Sequence, residues 1–346
     1  MIYAGIDVAK DKHDCYIISS DGEVLEDHFT FPNNQEGFDS FLSLLKSFST
    51  SIKNIEVGLE ATGHYSNNIL EFLHSNGLLV FVLNPLSTNL YRKGQSLRKT
   101  KTDKSDARFI TMMLMTEHLK PYSPVSYHIR ELKSLSRHRF RLVKERSRFK
   151  VSYSRIIDII FPELPSHVWS TSQNSMLHTL LKFPNTKTLS DCHLTSLTTT
   201  LKKYSKGKYT KDKALELREA ARRSIGSTSP SQAFELQQVI RTILFLKKEI
   251  ALLDNQIKNL VSALNTPLLT IPGISYISAG MILSEIGDID RFDSPSKLLA
   301  FAGLEPSTYQ SGKFTAAHAV MVKRGSKYLR WAIMNATRLV SILLQL

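Results

Sequence analysis

Hydrophobic and polar positions are arranged in two successive regimes along the chain. In the first, short apolar runs dominate: Ile2–Val8, His13–Ser20 and Glu23–Phe31 predict three strands, with Ser20-Asp-Gly22 as a hairpin turn between the second and third. Asn34 then caps a helix whose apolar stripe is Phe38, Phe41, Leu42 and Leu45, the i, i+3, i+4, i+7 spacing of one helical face. Ile55–Glu60 predicts a fourth strand, residues 65–74 a helix, and Leu78–Leu83 a further strand. A helix opening at Thr102 or Asp103, with Ala107, Ile110, Met113 and Leu114 on its buried side, closes the series.

From about Ser126 the pattern becomes long-helical. Leu132, Leu135, Leu142, Phe149 and Ile156 keep an apolar stripe until Pro162 and Pro165 end the run. Residues 166–230 are Ser/Thr-rich, carry a basic cluster at Lys202, Lys203, Lys206 and Lys208, and predict a small helical insertion. A second long helix spans about 231–264. Its Ile243, Leu246, Ile250, Leu253, Ile257, Leu260 and Leu264 form a coiled-coil seam, suited to pairing both with residues 128–160 of the same chain and with another protomer. Leu269-Thr-Ile-Pro-Gly-Ile-Ser275 followed by residues 277–286 predicts a helix-hairpin-helix, and Ser294-Pro295 starts another short helix. The expected domains are therefore 1–122 (α/β), 123–264 (helical, with the 166–230 insertion) and 265–346 (mainly helical).

Charge narrows the partners. A formal net charge of +14 points to a polyanion, most simply nucleic acid. No apolar run approaches the ~20 residues needed to span a bilayer, and the first residues resemble neither a signal nor a transit peptide. Two cysteines without ligand spacing favour a reducing cytoplasm and disfavour a zinc site. Arg98, Lys99, Lys101 and Lys104 crowd one segment, while Arg137, Arg141 and Arg148 belong to an almost single-signed run on the first long helix. Both are candidate phosphate contacts.

Chemistry is suggested by carboxylates. Asp7 lies inside an apolar strand, where a charge is costly unless paired or metal-bound. Glu60 ends the fourth strand, and Asp103 and Asp106 share one face of the late helix. Three antiparallel strands followed by alternating helices and strands is the order of an RNase H-like (RuvC-like) fold, and these four acids occupy its acidic positions. Gly5-Ile-Asp-Val-Ala-Lys10, Glu60-Ala-Thr-Gly63 and Lys101-Thr-Asp-Lys-Ser-Asp-Ala107 resemble the three signatures of the DEDD transposases of the IS-one-ten type, which include the Piv-type DNA invertases. Gly303-Leu-Glu-Pro…Gln-Ser-Gly…Lys-Arg-Gly…Leu-Arg330 resembles that family's second region.

The resemblance implies a DNA recombinase in which Asp7, Glu60, Asp103 and Asp106 bind Mg²⁺ and Ser311 is the nucleophile, with Ser307 a weaker candidate. It further implies that Lys323, Arg324 and Arg330 hold the scissile phosphate. Donor and target DNA, a noncoding bridge RNA, and a dimer assembling to a tetramer, in a bacterial, nucleoid-associated setting, complete what it implies. It also implies chain beyond the last helix, so the apolar end Ile342–Leu346 reads as a truncation or a short member. The rival readings are a RuvC-like endonuclease that uses water and a non-catalytic nucleic-acid-binding protein.

Overall fold

The computed structural model describes residues 1–61, 63–95, 102–123, 126–307, 310–311, 314–315 and 320–344. Arg98, Lys99 and Lys101 lie outside these residues, as do the side chains of Gln310, Ser311, Phe314, Thr315, Leu343 and Leu344. The chain divides into two compact units, Met1–Pro124 and Val125–Leu346. Among the described residues no helix is long and apolar enough to cross a membrane.

The first unit is built on a five-stranded mixed sheet of order β3-β2-β1-β4-β5. Strands β1 (Ile2–Val8), β2 (Lys12–Ser19) and β3 (Val24–Pro32) form an antiparallel meander; β4 (Ile55–Glu60) and β5 (Leu79–Leu83) add in parallel beside β1. Helices α1 (Gln35–Phe48) and α2 (Ser66–Ser75) supply the crossovers that parallel pairing requires. Asn34 caps α1, its side chain accepting from Gly37 N at 2.9 Å, so the stripe Phe38, Phe41, Leu42 and Leu45 turns into the sheet. Alternation sends Ala4, Ile6, Val57 and Leu59 to this same core, all with no exposed surface.

Helices α3 (Pro85–Gln95) and α4 (Asp103–Thr116) complete the unit. α4 packs on β1 and β2, its Ala107 clustering with Tyr3, Tyr16 and Ile18, which alternation places on the sheet face opposite α1. Gly5 makes that approach close: a Cβ there would lie 2.5 Å from Ala107 O and 2.5 Å from Thr111 N, both backbone atoms of α4. At Gly58 a Cβ would meet only side-chain atoms, at 3.3 Å. Thr102 caps α4 in a reciprocal capping box with Ser105, which leaves Asp103 as the first helical residue.

Among its described residues the regular structure of the second unit is helical apart from the two-residue strands β6 (Gln310–Ser311) and β7 (Phe314–Thr315) and an isolated Pro306–Met321 bridge. Its axis is a pair of long helices, α5 (Tyr127–Ile160) and α11 (Pro230–Ala263), each of 34 residues. They run antiparallel, since Arg139 pairs with Asp254 and Arg155 with Glu235 (2.7 Å). At one end, the C-terminal half of α5 and the N-terminal half of α11 share a core with α6 (Leu164–His167), α7 (Asn174–Lys182), α8 (Thr186–Ser190), α9 (Leu194–Tyr204) and α10 (Lys211–Arg223). The insertion is thus four short helices, α7 to α10, entered through the end of α6. At the other end, α12 (Tyr276–Ile286), α13 (Pro295–Ala302) and α14 (Lys327–Leu344) pack together and against α5 and α11. The segment before Pro272-Gly273 is a single 3-10 turn, Pro267–Thr270.

Gly5→Ala should push α4 off the sheet, with a cost of about 2–3 kcal/mol for forcing a methyl against fixed backbone. Hydrogen exchange of the α4 amides is the measurement. The expectation is strong acceleration for Gly5→Ala and a much smaller effect for Gly58→Ala; equal protection in both would contradict it.

Candidate functional site

The parallel pairing of β1 with β4 aligns Ile6 with Leu59, so Asp7 and Glu60 follow side by side at the ends of neighbouring strands. Ile6 and Leu59 face the α1 side; alternation therefore turns Asp7 and Glu60 toward the face that carries α4. The close seat of α4 at Gly5 delivers its first turn, with Asp103 and Asp106, toward the same strand ends.

Glu60 and Asp106 line one cavity of about 280 Å³, together with Thr88, Asn89, Arg92 and Phe109. Thr88 Oγ1 donates to Glu60 Oε2 at 2.8 Å. Arg92 Nη1 donates to Asp106 Oδ1 at 3.2 Å, and its Nη2 to Asn89 Oδ1 at 3.0 Å. Arg92 therefore offsets the charge of a half-buried acid and is itself held by a neighbour on its own helix. Thr88 and Arg92 come from α3, which the hydrophobic pattern did not reveal. Asp7 and Asp103 are not among the residues lining this cavity, and Asp103 is exposed. Among the described residues, no three acidic, histidine or cysteine side chains gather closely enough to hold an ion.

One further acid belongs to this region. Asp14 lies directly across β1–β2 from Asp7 and is only 1% exposed. Burial pushes its carboxyl up. The Thr30 hydroxyl at 2.5 Å, His28 Nε2 at 2.8 Å and Lys12 at 3.4 Å outweigh that and hold it below the usual aspartate range. Thr30, Asp14, Asp7 and Glu60 thus form a polar row across four adjacent strands.

The basic candidates divide by their partners. Lys104 pairs with Asp27 and the exposed Arg148 with Glu145 (2.7 Å), while Arg141 is exposed. Arg137 is occupied internally: its Nε and Nη2 reach the two oxygens of Glu285 at 2.6 and 2.9 Å, and its guanidinium sits 4.8 Å above the Tyr328 ring. Glu285, 1% exposed, also accepts from Ser326 Oγ at 2.8 Å, and Ser326 Oγ in turn accepts from Leu329 N in the first turn of α14. This braces the Lys323-Arg-Gly-Ser326 turn. Gly325, at φ +138°, fits where a Cβ would lie 2.3 Å from Phe301 O. Lys323 and Arg324 are exposed on that turn. Arg330 is drawn inward, donating to Ala302 O at 3.0 Å and Lys323 O at 3.2 Å. Ser307 is taken up in backbone pairing, its Oγ accepting from Val320 N at 3.1 Å. Ser311 lies in β6, its backbone paired with Phe314.

These two regions match known proteins separately. Residues 4–162 match the DEDD transposase domain, described as Transposase, and residues 265–344 match the domain described as Transposase IS116/IS110/IS902 family. A pilin gene-inverting protein of Moraxella bovis is 25% identical over 98% of this chain and 83% of its own length. A transposase for insertion sequence element IS1111A of Coxiella burnetii is 33% identical over 20% of this chain and 19% of its own. Among solved structures, Thermus thermophilus RuvC aligns at 12% identity and TM-score 0.27, covering 35% of this chain and 100% of that one. The protein is a transposase, an enzyme of DNA cleavage and strand transfer. It belongs to the IS116/IS110/IS902 transposase family, whose two domain matches together cover more than half of the chain.

The Arg137–Glu285–Ser326 network carries a pH signature. Burial pushes the Glu285 carboxyl up, but Arg137, Ser326 and Lys133 outweigh it and leave it below the ordinary glutamate range. Its contribution to stability is therefore full above that range and is lost as pH falls through the lower folded value. Glu285→Gln leaves Arg137 uncompensated and should cost about 3 kcal/mol. It should also flatten the acid-side loss of stability, followed through the fluorescence of Trp331, which packs on Phe140. An unchanged acid profile would remove Glu285 from this role.

Proposed function

We propose that the chain cuts and rejoins DNA through a phosphoserine intermediate served by the four acids. The observation that carries the reading is the meeting of Glu60 and Asp106 in one polar cavity, with Asp7 in register beside Glu60. Carboxylate oxygens in a polar cavity are the donors that a hard divalent cation takes, so the residues present fit Mg²⁺. Glu60 and Asp106 would hold it from the cavity, with Asp7 and Asp103 drawn in from the adjoining strand end and helix start to complete the set. When bound, Mg²⁺ supplies charge neutralisation at the phosphate and makes a coordinated hydroxyl more acidic.

In this reading Ser311 Oγ attacks the phosphorus of a DNA phosphodiester. The new Ser–O–P bond forms as the P–O3′ bond breaks, and the serine proton leaves to a carboxylate of the acidic site and then to the departing 3′-oxygen. The products are a phosphoserine on the 5′ side and a free 3′-hydroxyl. Attack by a 3′-hydroxyl of the exchanged strand reverses the step and rejoins the DNA. Lys323 and Arg324 are placed on an exposed, braced turn where they can steady the phosphate, and Arg330 holds that turn from behind.

Family membership supports three further parts of the proposal. A structured bridge RNA pairs with donor and target DNA, so base pairing chooses the sequence while the protein grips backbones. The protomers form dimers that assemble to tetramers. Ser311 of one protomer then serves the acids of another.

Ser311→Ala should abolish the covalent protein–DNA adduct and reduce strand transfer by at least about a thousandfold. Asp106→Asn should lose cleavage to a similar degree while retaining DNA binding. A gel that resolves adduct, nicked and joined DNA reads all three. Undiminished cleavage by Ser311→Ala, with no adduct from the parent, would instead establish a water-using endonuclease. Sequencing of RNA that copurifies should return one discrete noncoding species; random RNA alone would defeat the guided part.

A further inference from the structure

The 166–230 insertion lies outside both matched domains, yet it carries much of the chain's charge. It holds eleven lysines and arginines against four acids. Two of those acids, Glu216 and Glu219, are paired with cations on their own helix α10. A cavity of about 390 Å³ opens between α7 and α9, and no acid is among the residues that line it. Lys182 and Lys203 stand on it, with the hydroxyls of Thr199 and Thr200, and its aromatic part is His178 and Tyr204.

These side chains are organised. His178 and Tyr204 stack face to face, with ring centroids 3.5 Å apart and 8° between planes. The Lys203 ammonium lies 5.3 Å from the Tyr204 ring centroid, and Lys182 Nζ donates to Ser196 Oγ at 2.6 Å. Lys247 of α11 anchors to Asn174 at the start of α7 at 2.6 Å. Positive charge is continuous from there. Burial and the nearby Lys203 and Lys247 keep His178 below the ordinary histidine range, and burial with Arg146 and Lys150 of α5 does the same to Lys247. Cations of α7 and α9 thus line an aromatic cavity with no acid in its lining, Lys247 of α11 lies near its His178, and Arg146 and Lys150 of α5 lie beyond near Lys247. Mutual repulsion of this kind has a cost, which a bound polyanion would reverse.

We infer that this cavity docks single-stranded nucleic acid, with a phosphate between Lys182 and Lys203 and a base against the His178–Tyr204 pair. Lysine and hydroxyl donors beside an aromatic plate form the combination that single-strand binding uses: charge tracks the backbone, and a ring takes any base. The volume falls in the range of about 300–1,000 Å³ of small-ligand sites, enough for one nucleotide but not for a duplex groove. The inference rests on the nucleic-acid reading above but not on its chemistry, because none of these residues belongs to the acidic site or the serine region.

The test uses the full chain and fluorescein-labelled mixed-sequence single strands, RNA and DNA, titrated across a salt series. Lys182→Ala/Lys203→Ala should weaken binding about tenfold. It should also reduce the slope of log affinity against log salt by about 0.7, the value for one lost phosphate contact on a single strand. Lys182→Arg/Lys203→Arg should restore the slope, and Tyr204→Leu should weaken binding with the slope unchanged. A larger loss with RNA assigns the site to a guide strand, and a larger loss with DNA to a displaced strand; either supports single-strand docking. The inference is overturned if Lys202→Ala/Lys206→Ala, changed on the same insertion, has the same effect, since charge alone would then suffice. Equal competition by polyglutamate, or a loss confined to duplex DNA, would overturn it too. Asp106→Asn separates the two proposals: binding at this cavity should survive in it even where strand cleavage does not.

Discussion

The arrangement of the N-terminal unit depends on a missing side chain. At Gly5 the sheet and α4 are in backbone contact, and even a methyl group would meet Ala107 O and Thr111 N. The place of the two helical acids follows from that proximity. The first turn of α4 is set by Thr102 and Ser105, so once the helix is seated the positions of Asp103 and Asp106 are fixed. Asp7 and Glu60 are fixed independently by the β1–β4 register. Carboxylates from distant sequence positions are thereby brought to one edge by a steric allowance, while Arg92 and Thr88 meet the electrostatic demand this creates.

Charge is handled differently in the two units. In the first, a cation from a neighbouring helix compensates an acid that lines a cavity. In the second, the buried Glu285 spends its charge on structure, tying α5, α12 and the start of α14 together through Arg137 and Ser326. That bond gives rigidity to the turn bearing Lys323 and Arg324. An exposed cation on a floppy turn holds a phosphate poorly, because ordering it must be repeated at each binding event.

Most of the first unit could be read from the sequence because its elements are locally consistent: alternating strands, a capped helix, a clear Ser-Asp-Gly turn. The exceptions have specific causes. Helix α3 has Thr88 as its one buried residue, so it shows no apolar stripe to detect. Asp14 looks like an outward residue of an alternating strand; its burial comes from His28 and Thr30, which only the β2–β3 register supplies. Arg137 was indistinguishable from its neighbours in a basic run, because its partner Glu285 lies 148 residues away. The long helices are visible from their stripes, but the stripes leave open a partner in the same chain or in another protomer; the antiparallel pairing comes from contacts such as Arg155 with Glu235. For Ser311 the residue pattern offers a common Ser-Gly turn and nothing more. The role proposed for it rests on family resemblance alone.

The strand order has a consequence for how the chain is made. Strand β1 is the first to leave the ribosome and the central strand of the sheet, yet its parallel partner β4 begins at Ile55 and its cover α4 at Asp103. During synthesis β1 can pair only with β2, and one whole face of the meander stays bare until about a hundred residues have followed. Closing such loops costs entropy that grows slowly with length, but the waiting itself is imposed by topology. Assembly of the acidic edge is therefore a late event: the nascent chain holds Asp7 and Glu60 apart from Asp106 until the unit is nearly complete.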